Sequence, residues 1–326
     1  MIVPYLLRLF CLCLAAFFVV HSVVGLAVGA AGSAAVRAAG HMRPRAAGRF
    51  LLTLRLLPAA LALFVVIGLC VPSYLWLEPE TNTEELGSGC LAAAFLAAGL
   101  WTMSAVRVAR AAVQSARHGR GFRRLRRSTS RSNSRLPIWI LDTPAPLLAL
   151  VGVLRSRIVV SRPVMHALSA GQLAAALRHE EAHQASHDNL KRLLLLLAPG
   201  LLPGVRGFHA IERGWARFTE WAADDDAVAG NPHLSVSLAS ALVRIARMGG
   251  VPLPSPLATS FLADSSEISV RGNRLLNPLP APPVRRNSAA MAIRAALAAL
   301  TVGCTVSMLH PATLESAHRI IEQLIH

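Results

Sequence analysis

Charge is scarce in this chain. Of 326 residues only 15% are Asp, Glu, Lys or Arg, against roughly 25% in soluble globular domains. Intrinsic disorder is excluded, because the apolar residues far exceed what an unfolded chain can keep in water. Lysine is almost missing: the 33 basic residues include one lysine, Lys191. Aromatic residues make up 5%, which leaves little material for base stacking. No nucleic-acid motif occurs, so nucleic acid is not an expected partner in spite of the formal charge of +16. The cysteines are Cys11, Cys13, Cys70, Cys90 and Cys304, all in or beside apolar stretches. They resemble neither a disulfide framework nor a zinc–thiolate site, and they read as small apolar filler.

Hydrophobic residues, by contrast, reach 54% and gather in runs. A helix needs about 20 mostly apolar residues to cross a bilayer. Four stretches qualify: Leu9 to Ala31, Leu57 to Leu77, Gly89 to Val108 and Ser288 to Leu309. The first reads as a retained helix and not as a cleaved signal peptide, since its apolar run is long and only Arg8 precedes it. The loop after it carries Arg37, Arg43, Arg45, Arg49 and Arg55; the loop after the second carries Glu78, Glu80, Glu84 and Glu85. Ten arginines follow the third between Arg107 and Arg135. By the positive-inside rule the basic loops are cytoplasmic and the acidic one external. Residues between the third and fourth spans are then expected in the cytoplasm, with a short external tail. Arg117 to Arg135, rich in Arg and Ser, reads as a mobile linker along anionic lipid. Leu193 to Val205 is too short to span and reads as a buried or interfacial segment pressing on the bilayer. Val251 to Val284 is too proline-rich for one regular element.

Between the third and fourth spans lies His179-Glu180-Glu181-Ala182-His183, an HExxH motif. Residues four apart share a helix face, so His179 and His183 can point at one metal ion. Glu180 can then act as general base on a water activated by that ion. Ser169 with Gln172 fits a capping box and predicts a helix start ten residues before the motif. A catalytic zinc needs a third protein ligand. His187 lies about 12 Å of helical rise from His179, too far to share an ion. Glu220 is the better candidate, and Asp224, four residues on, can hold a ligand histidine by its other N–H. Ile138-Trp139-Ile140 and Ile158-Val159-Val160 read as short strands, one of which can offer an edge to an extended substrate.

With these motifs the chain resembles the membrane-embedded gluzincin peptidases. The nearest likeness is to the peptidase domain of the BlaR/MecR beta-lactam sensor-transducers; a more distant one is to the HtpX and CAAX prenyl protease group. The match rests on Arg157 to Ser161, the helix from Leu168 to Asp188, and Glu220 to Ala227, within roughly Leu136 to Leu276. The resemblance implies one zinc ion bound by His179, His183 and Glu220, with Glu180 as catalytic base and Asp224 behind a ligand. It implies a zinc endopeptidase acting on a peptide or protein substrate at the cytoplasmic face of a bacterial plasma membrane, in regulatory signalling with a possible partner protein. No penicillin-binding sensor segment occurs in this sequence, so direct beta-lactam sensing is not expected. The oxyanion-stabilising residue stays open among His209, His233, Arg271 and Arg274, with the two arginines better suited to closing the domain.

The expected architecture is therefore a mainly α, polytopic membrane protein with about four transmembrane helices and a cytoplasmic HExxH zincin domain carrying a small β element. Residues 1–110 form a three-helix membrane domain, 111–135 a basic linker, 136–287 the metallopeptidase domain, and 288–326 the fourth span and tail. Two other readings stand beside it. One is an intramembrane protease of the site-2 type, disfavoured by the polar residues flanking the motif. The other is a non-catalytic membrane regulator that keeps a zinc fold.

Overall fold

The computed structural model describes residues 5–77, 86–130, 137–201, 208–249, 257, 259–260 and 267–277. Three helical runs in it are long and apolar enough to cross a membrane: Tyr5–Gly40, Pro44–Leu77 and Ser88–Arg123. They contain the first three expected spans. The fourth, Ser288 to Leu309, the acidic loop from Glu78 and most of the proline-rich stretch lie outside the described residues.

Helix α1 (Tyr5–Gly40) packs against α2 (Pro44–Val65) and α4 (Ser88–Leu125). Between α2 and α3 (Val71–Leu77) the helix relaxes into a π-turn, Val66–Cys70, where the N–H of Val71 bonds the carbonyl of Val66. Pro72 follows at once and lacks an amide hydrogen, so a local change of helix type there keeps the run continuous. The large exposed apolar side chains of α1 run from Leu6 to Leu26, a length of about 30 Å at about 1.5 Å per residue, matching a hydrocarbon core.

At the end of this bundle that carries Arg37, Arg43, Arg45 and Arg49 sits an α/β body. Its five-stranded sheet has the order β1-β2-β4-β3-β5, with β1 Arg126–Ser130, β2 Ile138–Leu141, β3 Leu148–Val151, β4 Arg157–Ser161 and β5 Thr259–Ser260. Strands β2 and β4 run parallel and the other pairs antiparallel. Ile138, Leu148, Leu150, Ile158 and Val160 face a core shared with α6 (Ala170–Ala185) and α9 (Pro232–Arg247). Trp139, Leu141, Ala149 and Val159 face the other way, onto Phe122 at the end of α4. Both faces are covered, which is why these strands are unbroken apolar runs. After β4 comes the short helix α5 (Arg162–Ala167).

Helix α8 (His209–Val228) joins the two halves. Ile211, Trp215 and Phe218 pack into Val28, Ala35, Ala39, Ala47 and Leu51 of α1 and α2, while Ala227 and Val228 belong to the core of the α/β body. Gly214 lets α8 approach closely: a Cβ there would lie 2.9 Å from Val36 and 3.1 Å from Leu51.

Two expectations change and a third gains detail. The stretch from Arg117, expected as a mobile linker, is helix to Leu125 and then edge strand β1 to Ser130. Arginine is a good helix former and no proline interrupts the run, so α4 continues until Phe122 meets the sheet. Second, β2 and β4 are not edges: β2 lies between β1 and β4, and β4 between β2 and β3. Neither can accept a substrate strand, because both hydrogen-bonding sides are taken. Third, the apolar stretch from Leu193 does more than press on a surface. It ends α7 (Asp188–Leu197), and the chain then turns at the level of the apolar belt. His21 of α1 lies 3.0 Å from the carbonyl of Gly200. Arg55 of α2 donates to the carbonyls of Ala198 and Pro199 at 3.4 Å, and Arg107 of α4 donates to Ala198 at 3.2 Å. Non-helical backbone packed among such apolar helices requires partners, which accounts for a polar residue facing this turn from each of the three candidate membrane helices.

Candidate metal centre

Helix α6 begins as its sequence predicts. Gln172 N–H donates to the Ser169 hydroxyl at 3.3 Å, and Ser169 N–H donates to the Gln172 carboxamide at 3.0 Å. The helix lays Ala175 and Ala176 against the sheet, and the same buried side brings in His179, Glu180 and His183. All three are fully buried. Burying two imidazoles and a carboxylate on one helix is costly unless something polar or charged meets them.

What meets them is Glu220, carried by α8. The Nε2 atoms of His179 and His183 are 3.1 Å apart. The Glu220 carboxylate lies 3.5 Å from the first and 3.6 Å from the second. Ligand atoms at the usual ~2.0–2.1 Å from a tetrahedral ion are separated by about 3.3 Å. These three side chains therefore form one triangular face of a tetrahedral site and could hold a metal ion. The polar atoms of Glu180 give a second sign of fit: both its oxygens are buried with no hydrogen-bond partner among the described residues. A cation on the neighbouring triangle, or a water bound to it, would relieve that cost.

Each imidazole is held from behind. His179 Nδ1 lies 3.0 Å from Asp224, as the spacing of Glu220 and Asp224 predicts. His183 Nδ1 lies 2.7 Å from Asp188, a partner the sequence did not reveal. Carboxylates beside both Nδ1 atoms favour a proton there, so that a bound metal would take the two Nε2 atoms. Asp188 reaches His183 because α6 stops: His187 adopts a left-handed conformation, φ 55°, and α7 restarts in a new direction at Asp188. Helical periodicity would never pair positions five apart. Lys191 then donates to the other oxygen of Asp188 at 2.7 Å. His187 itself is exposed and not part of the triangle.

Arg271, on α10 (Ile268–Leu276), closes the site from the far side. It donates to both oxygens of Asp224 at 2.9 and 2.7 Å, lies 3.1 Å from Glu220 and reaches within 3.4 Å of His179 Nε2. The other open candidates lie elsewhere. Arg274 pairs with Asp225 on the outside of α8, and His209 and His233 are exposed at the starts of α8 and α9.

Four carboxylates converge here, which sets the titration of the metal-free site. Burial disfavours the charged form of His183, but Glu220 and the bond to Asp188 outweigh it and push its pKa up to about 10. His179 is raised in the same sense: burial opposes the charge, and Asp224 and Glu220 prevail. Burial also resists ionisation of Asp224, yet the Arg271 guanidinium and His179 hold it down at about 2. Glu220 stays well below the ordinary glutamate value for like reasons, with His183 and Arg271 overcoming burial. Glu180 differs. Burial dominates and raises its carboxyl above the usual range. Protons on the imidazoles thus supply the positive charge that a cation would supply.

A cavity of about 680 Å³ opens onto Glu220 and Arg271. Its walls come from α1, α7, α8 and the start of α10, so the opening lies beside a candidate membrane helix. The chain matches no family model, no curated protein and no solved structure.

Proposed function

We propose that this protein is a membrane-bound zinc-dependent endopeptidase that hydrolyses peptide bonds at the cytoplasmic face of a bacterial plasma membrane, in keeping with its resemblance to the BlaR/MecR-type gluzincins. One observation carries the reading: two oriented imidazoles and a carboxylate make a tetrahedral face, with the buried carboxylate of Glu180 beside it. A zinc ion held by His179, His183 and Glu220 supplies Lewis-acid polarisation of a carbonyl and acidifies a water.

The chain's own residues do the rest. Glu180, made more basic by burial, takes a proton from the attacking water and returns it to the departing amine. Asp224 and Asp188 keep the imidazoles in the tautomer whose Nε2 atoms bind metal. Arg271 anchors Asp224 and Glu220 by opposite charge, so removing the guanidinium would free both carboxylates. Zinc is favoured over harder cations because two of three donors are imidazole nitrogens. Helix α6 has 16 residues and packs on a sheet, and it is not among the helices long and apolar enough to span. That geometry disfavours the site-2 type, in which the motif lies inside a transmembrane helix.

Purified protein is expected to hold one zinc per chain and to cleave a protein substrate. Glu180→Gln should keep the metal and lose at least about a hundredfold in rate. Comparing membrane proteomes of cells carrying either form should reveal an accumulating uncleaved substrate. Undiminished cleavage by a folded, zinc-loaded Glu180→Gln form would refute the base assignment. Zinc without any substrate would favour the non-catalytic regulator.

A further inference from the structure

The cavity that opens onto the triangle is lined by arginine. Arg192 of α7, Arg213 and Arg217 of α8, and Arg271 face it, against the two carboxylates of Glu220 and Glu267. The balance becomes more positive when each charge is followed to its partner. Arg271 is committed to Asp224 and Glu220, and Arg217 lies 3.7 Å from Glu267. Arg192 lies over the Trp215 ring, 5.7 Å from its centre, and the carboxylate it approaches is Glu220, at 3.9 Å; its Nε is buried without a hydrogen-bond partner among the described residues. A cation on the triangle takes up the charge of Glu220. Arg213 is exposed and makes no ion pair among the described residues.

Arg192 and Arg213 line the same cavity as Glu220, and their places relative to Glu220 suit an extended peptide. Arg192 sits against Glu220, beside the place of the scissile bond. Arg213 precedes Glu220 by two turns of α8, about 10 Å of rise, or about three residues of extended chain at about 3.3 Å each. Side chains alternate along an extended segment, so residues one and three point the same way. Arg192 of α7 and Arg213 of α8, both lining the cavity, are thus placed to meet two side chains on one face of a bound chain.

We infer that the substrates are peptides carrying Asp or Glu one and three residues from the cleaved bond, on the same side of it, recognised by Arg192 and Arg213. The inference rests on the peptidase reading above and adds its specificity. A neutral residue at either position forgoes its ion pair, and a basic one meets a like charge, at half-buried Arg192 and at exposed Arg213, which is how a site built for charge rejects the wrong partner.

The test uses full-length, zinc-loaded protein in phosphatidylcholine nanodiscs and peptide libraries with Glu, Gln or Lys fixed at each position around a quenched bond. Glu at positions one and three should be cleaved about tenfold faster than isosteric Gln, since hydrogen bonds to charged groups discriminate at that level. Arg192→Gln should weaken the preference at position one. Arg213→Glu, exposed and away from the metal ligands, should keep its zinc and reverse the preference at position three toward Lys. Equal rates for Glu and Gln, or an unchanged order in Arg213→Glu, overturn the inference and leave the peptidase reading standing. No cleavage of any library by zinc-loaded protein overturns both. Equal rates for Glu and Gln, together with binding to phosphatidylglycerol vesicles that Arg213→Glu loses, would assign the arginines to lipid and also overturn it.

Discussion

Asp188 offers the sharpest test of the metal centre, because its role depends wholly on the three-dimensional arrangement. Its carboxylate is 2.7 Å from His183 Nδ1 and its side chain is 3% exposed. Replacing it with alanine removes the acceptor that orients His183 and the charge that makes its Nε2 a better donor. Loss of such a partner costs metal affinity by about 10–100-fold, or about 1.4–2.7 kcal/mol. The buried position and short distance place Asp188→Ala near the upper end. Asp188→Asn keeps an oxygen that can accept from Nδ1–H but loses the charge, so about tenfold is expected. The partner Lys191 has a side chain 28% exposed and can turn to water, so its release adds little. Competition titration with a chromophoric zinc chelator measures the effect, with Asp225→Asn as control, since Asp225 pairs with Arg274 at the protein surface. If Asp188→Ala binds zinc within about threefold of wild type, the carboxylate does not orient the ligand.

Two further outcomes follow from the same geometry. The folded metal-free site raises His183 to about 10, so near pH 7 an incoming ion must displace a proton. Zinc affinity should rise about tenfold per pH unit from pH 7 toward 10, and a flat profile in buffered titrations would contradict the raised imidazole. In the helical bundle, Arg55→Met should leave the Pro199 carbonyl without this donor, Ala198 with Arg107 alone and Glu212 without its ion-pair partner, at a cost of about 1–3 kcal/mol. Limited proteolysis in detergent should then cut faster between residues 198 and 208, and an unaltered cleavage pattern would show that water already satisfies this turn.

Much of the centre was legible in the chain. HExxH with a capping box ten residues earlier fixes a helix phase, and phase alone puts His179 and His183 on one side. Glu220 and Asp224 follow the same rule on a second helix. The first three spans were equally visible, since hydrocarbon thickness sets a length that composition either meets or does not. Strand order was less accessible. The linker arginines hid both the continuation of α4 and strand β1, because local composition does not tell a solvated basic stretch from one whose Phe122 finds a sheet to cover.

From the sequence alone came the helix phases, the apolar lengths and the residue types able to bind a metal, because each is set by spacing along a single element. Only the tertiary structure brought α8 beside α6 to complete the triangle. It also turned the chain at His187 to deliver Asp188, carried Arg271 in from α10, and tied the turn at Ala198–Gly200 to the three long apolar helices. Those arrangements depend on how separate elements pack, and packing is decided by complementary surfaces and buried charges far apart in the chain.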